Sequence, residues 1–487
     1  MEFSAENILL VGSALIFVGI VISKTGYKFG IPTLLLFLLV GMLFGSDGLG
    51  LQFNNAGDAQ FIGMIALSII LFTGGMDTKL SDIRPVIAQG LILSTLAVVV
   101  TTFLTGYFIY LLSGWSATFE MTLATSVLLA ATMSSTDSAS VFNVLRSQKI
   151  GLRNNLRPML EFESGSNDPM AYMLTIVLIQ AVTTGEINAA TITRDIALQF
   201  LLGGGTGYVM GRIAVLVLRK INIPNPSLYP ILLLSMIIFT FTITDMFRGN
   251  GYLAVYLMGI IVGNSKTAYK KETSTFMEGL TWLFQIILFI ALGLLVNPHE
   301  MLDVAGVALL IGIFMIVIAR PAGVFICLLP FRRMGVRDKL FVSWVGLRGA
   351  APIIFATYPV IAGVDGSGYI FNIVFFITLV SLLVQGTTIS SVAKLLGLDA
   401  PEEKRGNDFG VELPEELGSK LTEVTLTRPM LAGGNRLKDL NLPKGQLVMF
   451  VKRDKEIIIP DGQVELYEGD KLLVISSDEG SYPGTSR

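Results

Sequence analysis

The chain has 487 residues, 52% hydrophobic and only 15% charged, with a mean hydropathy of +0.68, against roughly 25% charged residues in soluble globular domains. A net charge of −2 offers no basic surface to nucleic acid. One cysteine, Cys327, and one histidine, His299, exclude an intrachain disulfide and a Cys/His zinc centre, so the composition points away from soluble enzymes and toward a membrane protein.

A bilayer core of about 30 Å takes roughly 20 apolar residues per helix, fewer where protein shields the ends. Such runs lie near 7–23, 31–46, 59–76, 85–112, 120–145, 158–182, 194–218, 227–247, 251–265, 275–296, 301–329, 339–362 and 368–396. The first follows Glu2 and Glu6 rather than a basic stretch, and reads as a retained span instead of a cleaved signal. Loops after odd-numbered runs collect Lys and Arg, from Lys24 and Lys28 through to Arg332, Arg333, Arg337 and Lys339. Loops after even-numbered runs hold only Arg194 and Arg248. Because cytoplasmic loops are the basic ones, the N-terminus is expected outside and the C-terminus in the cytoplasm.

The fifth run is interrupted at 132–138 by Thr-Met-Ser-Ser-Thr-Asp-Ser, poor helix formers whose side chains compete for backbone hydrogen bonds. The sixth carries Glu161, Glu163, Ser164, Asn167, Asp168 and Pro169. At 3.6 residues per turn Glu163 and Asn167 share one face, Ser164 and Asp168 the adjacent one, and Pro169 leaves the Gly165 carbonyl without its helical partner. Carboxylates, hydroxyls and an amide gathered at membrane depth suit a hard cation, and a carboxylate takes either a cation or a proton. In the eleventh run Arg320 precedes Pro321, as a buried cation tuning a carboxylate's proton affinity or as a snorkelling side chain. The twelfth run is interrupted at 346–352 by Gly-Leu-Arg-Gly-Ala-Ala-Pro. With the seventh run as connector, the two breaks hold fifth place in a first and a last set of six, the mark of inverted repeats with broken helices around a midplane site. Asp137 and Arg348 stand at these breaks, where opposed half-helix ends need compensating charge. Arg212, Asp245 and Glu278 fall toward run ends, where interfacial placement is cheap.

Past residue 398 a charged linker, 399–411, leads into a soluble segment, 412–487. Its short runs at 421–427, 447–452, 456–459 and 471–475 are separated by Gly-Gly, Pro-Lys-Gly, Pro-Asp-Gly and Glu-Gly-Asp turn signals. The expected architecture is an all-α polytopic membrane domain over 1–398, with about thirteen transmembrane helices, inverted repeats and breaks in helices 5 and 12, followed by a small α+β cytosolic domain of mostly antiparallel strands. No GxGxxG follows a strand, so a nicotinamide or ATP site is not expected.

These segments resemble the monovalent cation/proton antiporter family, in its electroneutral sodium-or-potassium/proton branch. The family pattern Glu-Ser-x-x-Asn-Asp is matched by Glu163, Ser164, Asn167 and Asp168. Its Thr-Asp-Pro is matched by Thr136 and Asp137, with Ser138 in place of proline. Gly-Leu-Arg-Gly is matched by Gly346 to Gly349, and Ile-Ala-Arg by Ile318, Ala319 and Arg320. The resemblance implies a homodimer in which a six-helix core rocks past a dimerisation scaffold, giving alternating access to one cation site. It implies Asp168 as the shared carrier of proton and cation, with Ser164 and Thr136 as further ligands of the monovalent cation and Asn167 and Asp137 in the same binding site. Asn167, where electrogenic relatives have a second aspartate, implies one-for-one exchange. Glu163 is implied to pair with Arg348, holding Asn167 in place, and Glu161 is left as an accessory carboxylate at the funnel.

The tail resembles the C-terminal subdomain of regulators of potassium conductance, through Gly434-Asn-Arg-Leu-Lys-Asp-Leu-Asn-Leu-Pro443, Arg453, Pro460 and Gly469-Asp-Lys-Leu-Leu-Val474. That resemblance implies a small-ligand-binding, dimerising module, cyclic di-AMP being the ligand in some relatives; a purely structural dimer clamp is the alternative. It also implies potassium over sodium, as in antiporters of cell-volume-regulation type, a bacterial inner membrane, and no resident cofactor. Two rivals remain at this level. A ligand-gated potassium channel needs a Thr-Val-Gly-Tyr-Gly-like filter, which the sequence lacks; a non-transporting sensor would leave the paired breaks without a purpose.

Overall fold

The computed structural model describes residues 5–29, 32–51, 53, 55–114, 120–185, 188–401, 421–431, 434–440, 445–453 and 456–476. The chain divides into two compact units, Met1–Glu402 and Glu403–Arg487. Most of the expected linker, 402–411, and the first residues of the expected tail, 412–420, lie outside the described residues.

In chain order the first unit contains α1 (Ala5–Phe29), α2 (Thr33–Phe44), α3 (Ala56–Asp77), α4 (Leu80–Ile83), α5 (Ile87–Ile92), α6 (Val98–Ser113), α7 (Leu123–Thr132), α8 (Ser138–Ser147), α9 (Leu156–Thr184), α10 (Ala189–Lys220), α11 (Leu228–Met246), α12 (Gly251–Gly263), α13 (Lys270–Leu295), α14 (Pro298–Phe314), α15 (Arg320–Cys327), α16 (Val336–Trp344), α17 (Ala350–Ile361) and α18 (Ser367–Leu395). One turn of π-helix, Leu93–Ala97, joins α5 to α6, and another, Met315–Ala319, joins α14 to α15. Among the described residues seven rods are long and apolar enough to cross a membrane by themselves, so length and composition alone account for seven of the thirteen expected crossings. Several helices start on a polar cap: the side chains of Asn55, Thr122, Asn188 and Asn250 each accept a hydrogen bond from the first-turn backbone.

The rods pack as two bundles. α1–α3 associate with α10–α13, and α5–α9 associate with α14–α18. The first bundle closes through glycine: a Cβ on Gly41 would lie 2.8 Å from the Cα of Gly293, so α2 and α13 touch backbone to backbone, the packing that drives association where no hydrophobic force acts between helices. In the second bundle the two π-turned rods run antiparallel, Gly323 against Ala97 and Thr101, and Phe108 stacked on Phe314 at 3.9 Å. Rods in corresponding places of the two sets of six thus face each other. Beyond α8, β1 (Ile150–Leu152) pairs antiparallel with β2 (Asp399–Pro401), the strand that follows α18.

The second unit is a sheet of β3 (Leu421–Thr425), β4 (Gln446–Arg453), β5 (Glu456–Ile458) and β6 (Lys471–Ser476), antiparallel in the order β3-β6-β4-β5. Val424, Leu426, Val448, Val451, Leu466, Leu472 and Val474 form its core. Where helix was expected beside the sheet, the described residues hold only short 3₁₀ turns, Arg428–Leu431 and Leu437–Asp439. Arg453 donates to Asp470 from Nε (3.0 Å) and Nη2 (2.8 Å) and lies over the Tyr467 ring. The bond to Asp470 holds this guanidinium above its ordinary range.

Candidate functional site

The break in the fifth run begins where side chains take over backbone carbonyls. Thr132 Oγ1 donates to Leu129 O and Ser134 Oγ to Ala131 O, both at 2.7 Å, which competes with helix continuation. α7 ends at Thr132, and the chain has no regular secondary structure until Asp137 caps α8 by accepting from Ser140 N at 3.1 Å and Ser140 Oγ at 2.5 Å. The other break spans 345–349, between α16 and α17.

The two breaks cross. Asp137 N donates to Leu347 O at 2.7 Å, and Arg348 Nη1 donates to Ser134 O (3.1 Å) and Ser135 O (2.5 Å). The Asp137 carboxylate therefore sits at the N-terminus of α8. It also sits at that of α17, since a Cβ on Gly349 would lie 2.5 Å from Asp137 Oδ2. Arg348 meets carbonyls just past the C-terminus of α7. Anion at N-termini and cation at a C-terminus is the favourable arrangement for helix dipoles. Arg348 is 2% exposed, and its own N–H donates to Ser381 Oγ, which donates on to Gln385 Oε1; Gln385 Nε2 reaches Trp344 O at 2.7 Å and so secures the end of α16.

α9 is stitched to the first break. Ser164 Oγ donates to Thr136 O at 2.8 Å and accepts from Ser138 N at 3.0 Å, while Asn167 Nδ2 donates to Thr136 Oγ1 at 2.5 Å. Asn167 Oδ1 is buried without a partner, a cost of about 1–3 kcal/mol. Asn250 Nδ2 donates to the Pro169 carbonyl at 2.7 Å.

Glu163 does not pair with Arg348. It forms a buried salt bridge with Arg320, the residue that follows the π-turn, the two being 1% and 3% exposed. Arg348 is committed to the Ser134 and Ser135 carbonyls, and Gly346, whose Cβ would lie 3.1 Å from Arg320 Nε, leaves the space that Arg320 occupies. Asn167 is accordingly held by Thr136. Glu161 pairs with Arg157 one turn away at 2.9 Å, each about one-third exposed.

Asp168 and Asp137, both half-buried, line a cavity of about 50 Å³ between the bundles. The second bundle contributes Ser135, Thr136, Asp137, Asp168, Gly349 and Pro352; the first contributes Leu34, Leu67, Ile70, Gln285 and Phe289. Of the residues singled out in the sequence, Asp168, Asp137 and Thr136 reach this cavity; Ser164, Asn167, Glu163, Arg320 and Arg348 stand behind it. Sequence reasoning missed Ser381, Gln385, Asn250 and Gln285, although each is a polar residue within or beside an apolar run.

The chain matches the sodium/hydrogen exchanger transmembrane family over residues 12–395 and the TrkA-C domain over residues 421–481. It is 39% identical over 98% of its length to the K(+)/H(+) antiporter NhaP of Alkalimonas amylolytica, covering 82% of that protein. It is 35% identical to the K(+)/H(+) antiporter NhaP2 of Shewanella oneidensis, with the same two coverages. In fold it is similar to the sodium proton antiporter MjNhaP1 of Methanocaldococcus jannaschii, with a TM-score of 0.70 at 22% identity, over 80% of this chain and 100% of that one.

Proposed function

Because this chain belongs to the sodium/hydrogen exchanger family and carries a TrkA-C domain, we propose that it is an electroneutral potassium/proton antiporter, with Asp168 carrying either ion. It is a multi-pass membrane protein and a cation/proton antiporter. The choice of potassium rests on the two relatives described as K(+)/H(+) antiporters. The single observation that carries the mechanism is Asp168 lining a cavity between two bundles, beside the crossing of two interrupted helices.

A bare carboxylate is costly to move through a low-dielectric region, whereas the same group bearing a proton or a monovalent cation is neutral there. A bundle that shifts only with Asp168 neutralised delivers one ion each way per cycle, and the two fluxes are coupled without meeting. Asn167 beside it changes no charge in either state, which makes the exchange electroneutral. Asp137 and Arg348 hold the break in place, and the Glu163–Arg320 pair braces α9 behind it. The basic loops support an external N-terminus and a cytoplasmic tail in a bacterial inner membrane. The homodimer, and a regulatory tail that takes a cyclic dinucleotide, rest on the family resemblance.

In proteoliposomes with an imposed pH gradient and a pH-sensitive dye, potassium is expected to dissipate the gradient, with sodium, lithium and rubidium giving the selectivity series. The rate is expected not to change with clamped membrane potential. Asp168→Asn abolishes the response; wild-type exchange by Asp168→Asn would overturn the assignment. A channel would pass potassium current with no pH gradient present.

A further inference from the structure

We propose that the Ser135 hydroxyl is a direct ligand of the transported cation, beside Asp168 at the crossing of the two breaks. The inference rests on the reading of Asp168 as carrier and adds a residue to its site. Ser135 is fully buried (0% exposed) and its Oγ has no hydrogen-bond partner. Other hydroxyls around it are engaged. Thr132 and Ser134 hydroxyls donate to α7 carbonyls, Thr136 Oγ1 accepts from Asn167, and Ser164 Oγ is used twice. The Ser135 carbonyl is taken by Arg348, so this residue is held from behind while its hydroxyl has the Asp168 carboxylate within reach.

Ser135 and Asp168 line the same cavity, and the two side chains are neighbours. Buried polar atoms are almost always paired, and an exception calls for an ion or water that satisfies it. A cavity of about 50 Å³ exceeds the ~10–15 Å³ that one water needs, so it admits a dehydrated monovalent ion of about water's size. A hard cation there takes oxygen ligands, and the hydroxyl beside the carboxylate supplies one that carries no charge. Ser135 thereby adds affinity for the cation while leaving the charge exchanged per cycle unchanged.

The test is dye-monitored exchange in proteoliposomes with Ser135→Ala, Ser135→Cys and Asp168→Asn beside the wild type. Ser135→Ala is expected to raise the potassium KM about tenfold, the factor that corresponds to ~1.4 kcal/mol of lost interaction, with the maximal rate retained. Ser135→Cys places a soft sulfur at the same point and is expected to favour thallium over potassium relative to the wild type, since soft ligands prefer soft ions. A merely structural role would lower the maximal rate alike for every cation, and that result overturns the proposal, as does an unchanged potassium KM in Ser135→Ala. An active Asp168→Asn would instead overturn the carrier assignment; inactive Asp168→Asn with unaltered Ser135→Ala kinetics overturns only the role of Ser135.

Discussion

Ser138 stands where the family pattern has proline, and its N–H donates to Ser164 Oγ at 3.0 Å, a bond proline has no hydrogen to make. The hydroxyl of Ser164 also holds the Thr136 carbonyl. Its place in the motif is therefore spent on fastening α9 to the break rather than on facing the cavity. Ser138→Pro is expected to lower stability by ~1 kcal/mol, read as a lower Tm of the detergent-purified protein. Ser164→Ala strands both backbone groups, at about 1–3 kcal/mol each, and should lower Tm further. Glu163→Gln leaves Arg320 buried without its ionic partner, a loss of roughly 3–5 kcal/mol. Glu163→Gln with Arg320→Met should recover much of the folded yield; a double variant no more stable than the singles would argue against the direct pair. That Glu163 pairs with an arginine was implied by the family resemblance; the residues alone marked it only as an acid at membrane depth, which needs a cavity or a partner. Which arginine was not legible in the sequence: Arg320 starts α15 and Arg348 lies in the break between α16 and α17, and their distances from α9 are set by tertiary packing.

Among the elements, the two breaks could be read directly, because serine, threonine, glycine and proline clusters interrupt apolar runs at 132–138 and 346–352. The π-turns could not. Leu-Ser-Thr-Leu-Ala at 93–97 and Met-Ile-Val-Ile-Ala at 315–319 have ordinary membrane-helix composition, and the local winding is chosen by packing between the rods. One extra residue in a turn rotates everything after it by roughly 100°. Arg320 comes directly after such a turn, so the regular helical repeat of the preceding run does not set the direction in which it points. At the second break Gly349 admits the Asp137 carboxylate to the N-terminus of α17, and an alanine Cβ there would lie 2.5 Å from Oδ2. Gly349→Ala is expected to suppress exchange while the protein still elutes as the wild type does on size exclusion. Exchange at the wild-type rate would contradict so close an approach.

For the whole molecule, the division into a membrane unit and a small antiparallel sheet followed from composition and turn signals. The pairing of the helices into two bundles followed only from contacts, because lipid-facing and protein-facing apolar surfaces look alike in sequence. The strand pairing of β1 with β2 was equally hidden, being three residues long on each side. A Cβ on Gly151 would lie 2.7 Å from the Pro401 carbonyl, so Gly151→Val should open this pairing. With the tail as regulator, full-length Gly151→Val is expected to exchange like a chain ended at residue 401, with any tail-dependent change in rate lost; vesicle assays of the two proteins and the wild type compare them directly.

In mechanical language, β2 is a strap with more than one anchor. It is bonded covalently to α18, and through Ile150–Leu152 and the Arg153 N–H, which donates to Leu398 O at 3.0 Å, it is tied to the corner between α8 and α9. The end of α18 is thus tied to the corner between α8, which Asp137 caps at its other end, and α9, which carries Asp168 along its length. A pull on β2 would be carried to the ends of α8 and α9 that lie away from Asp137 and Asp168.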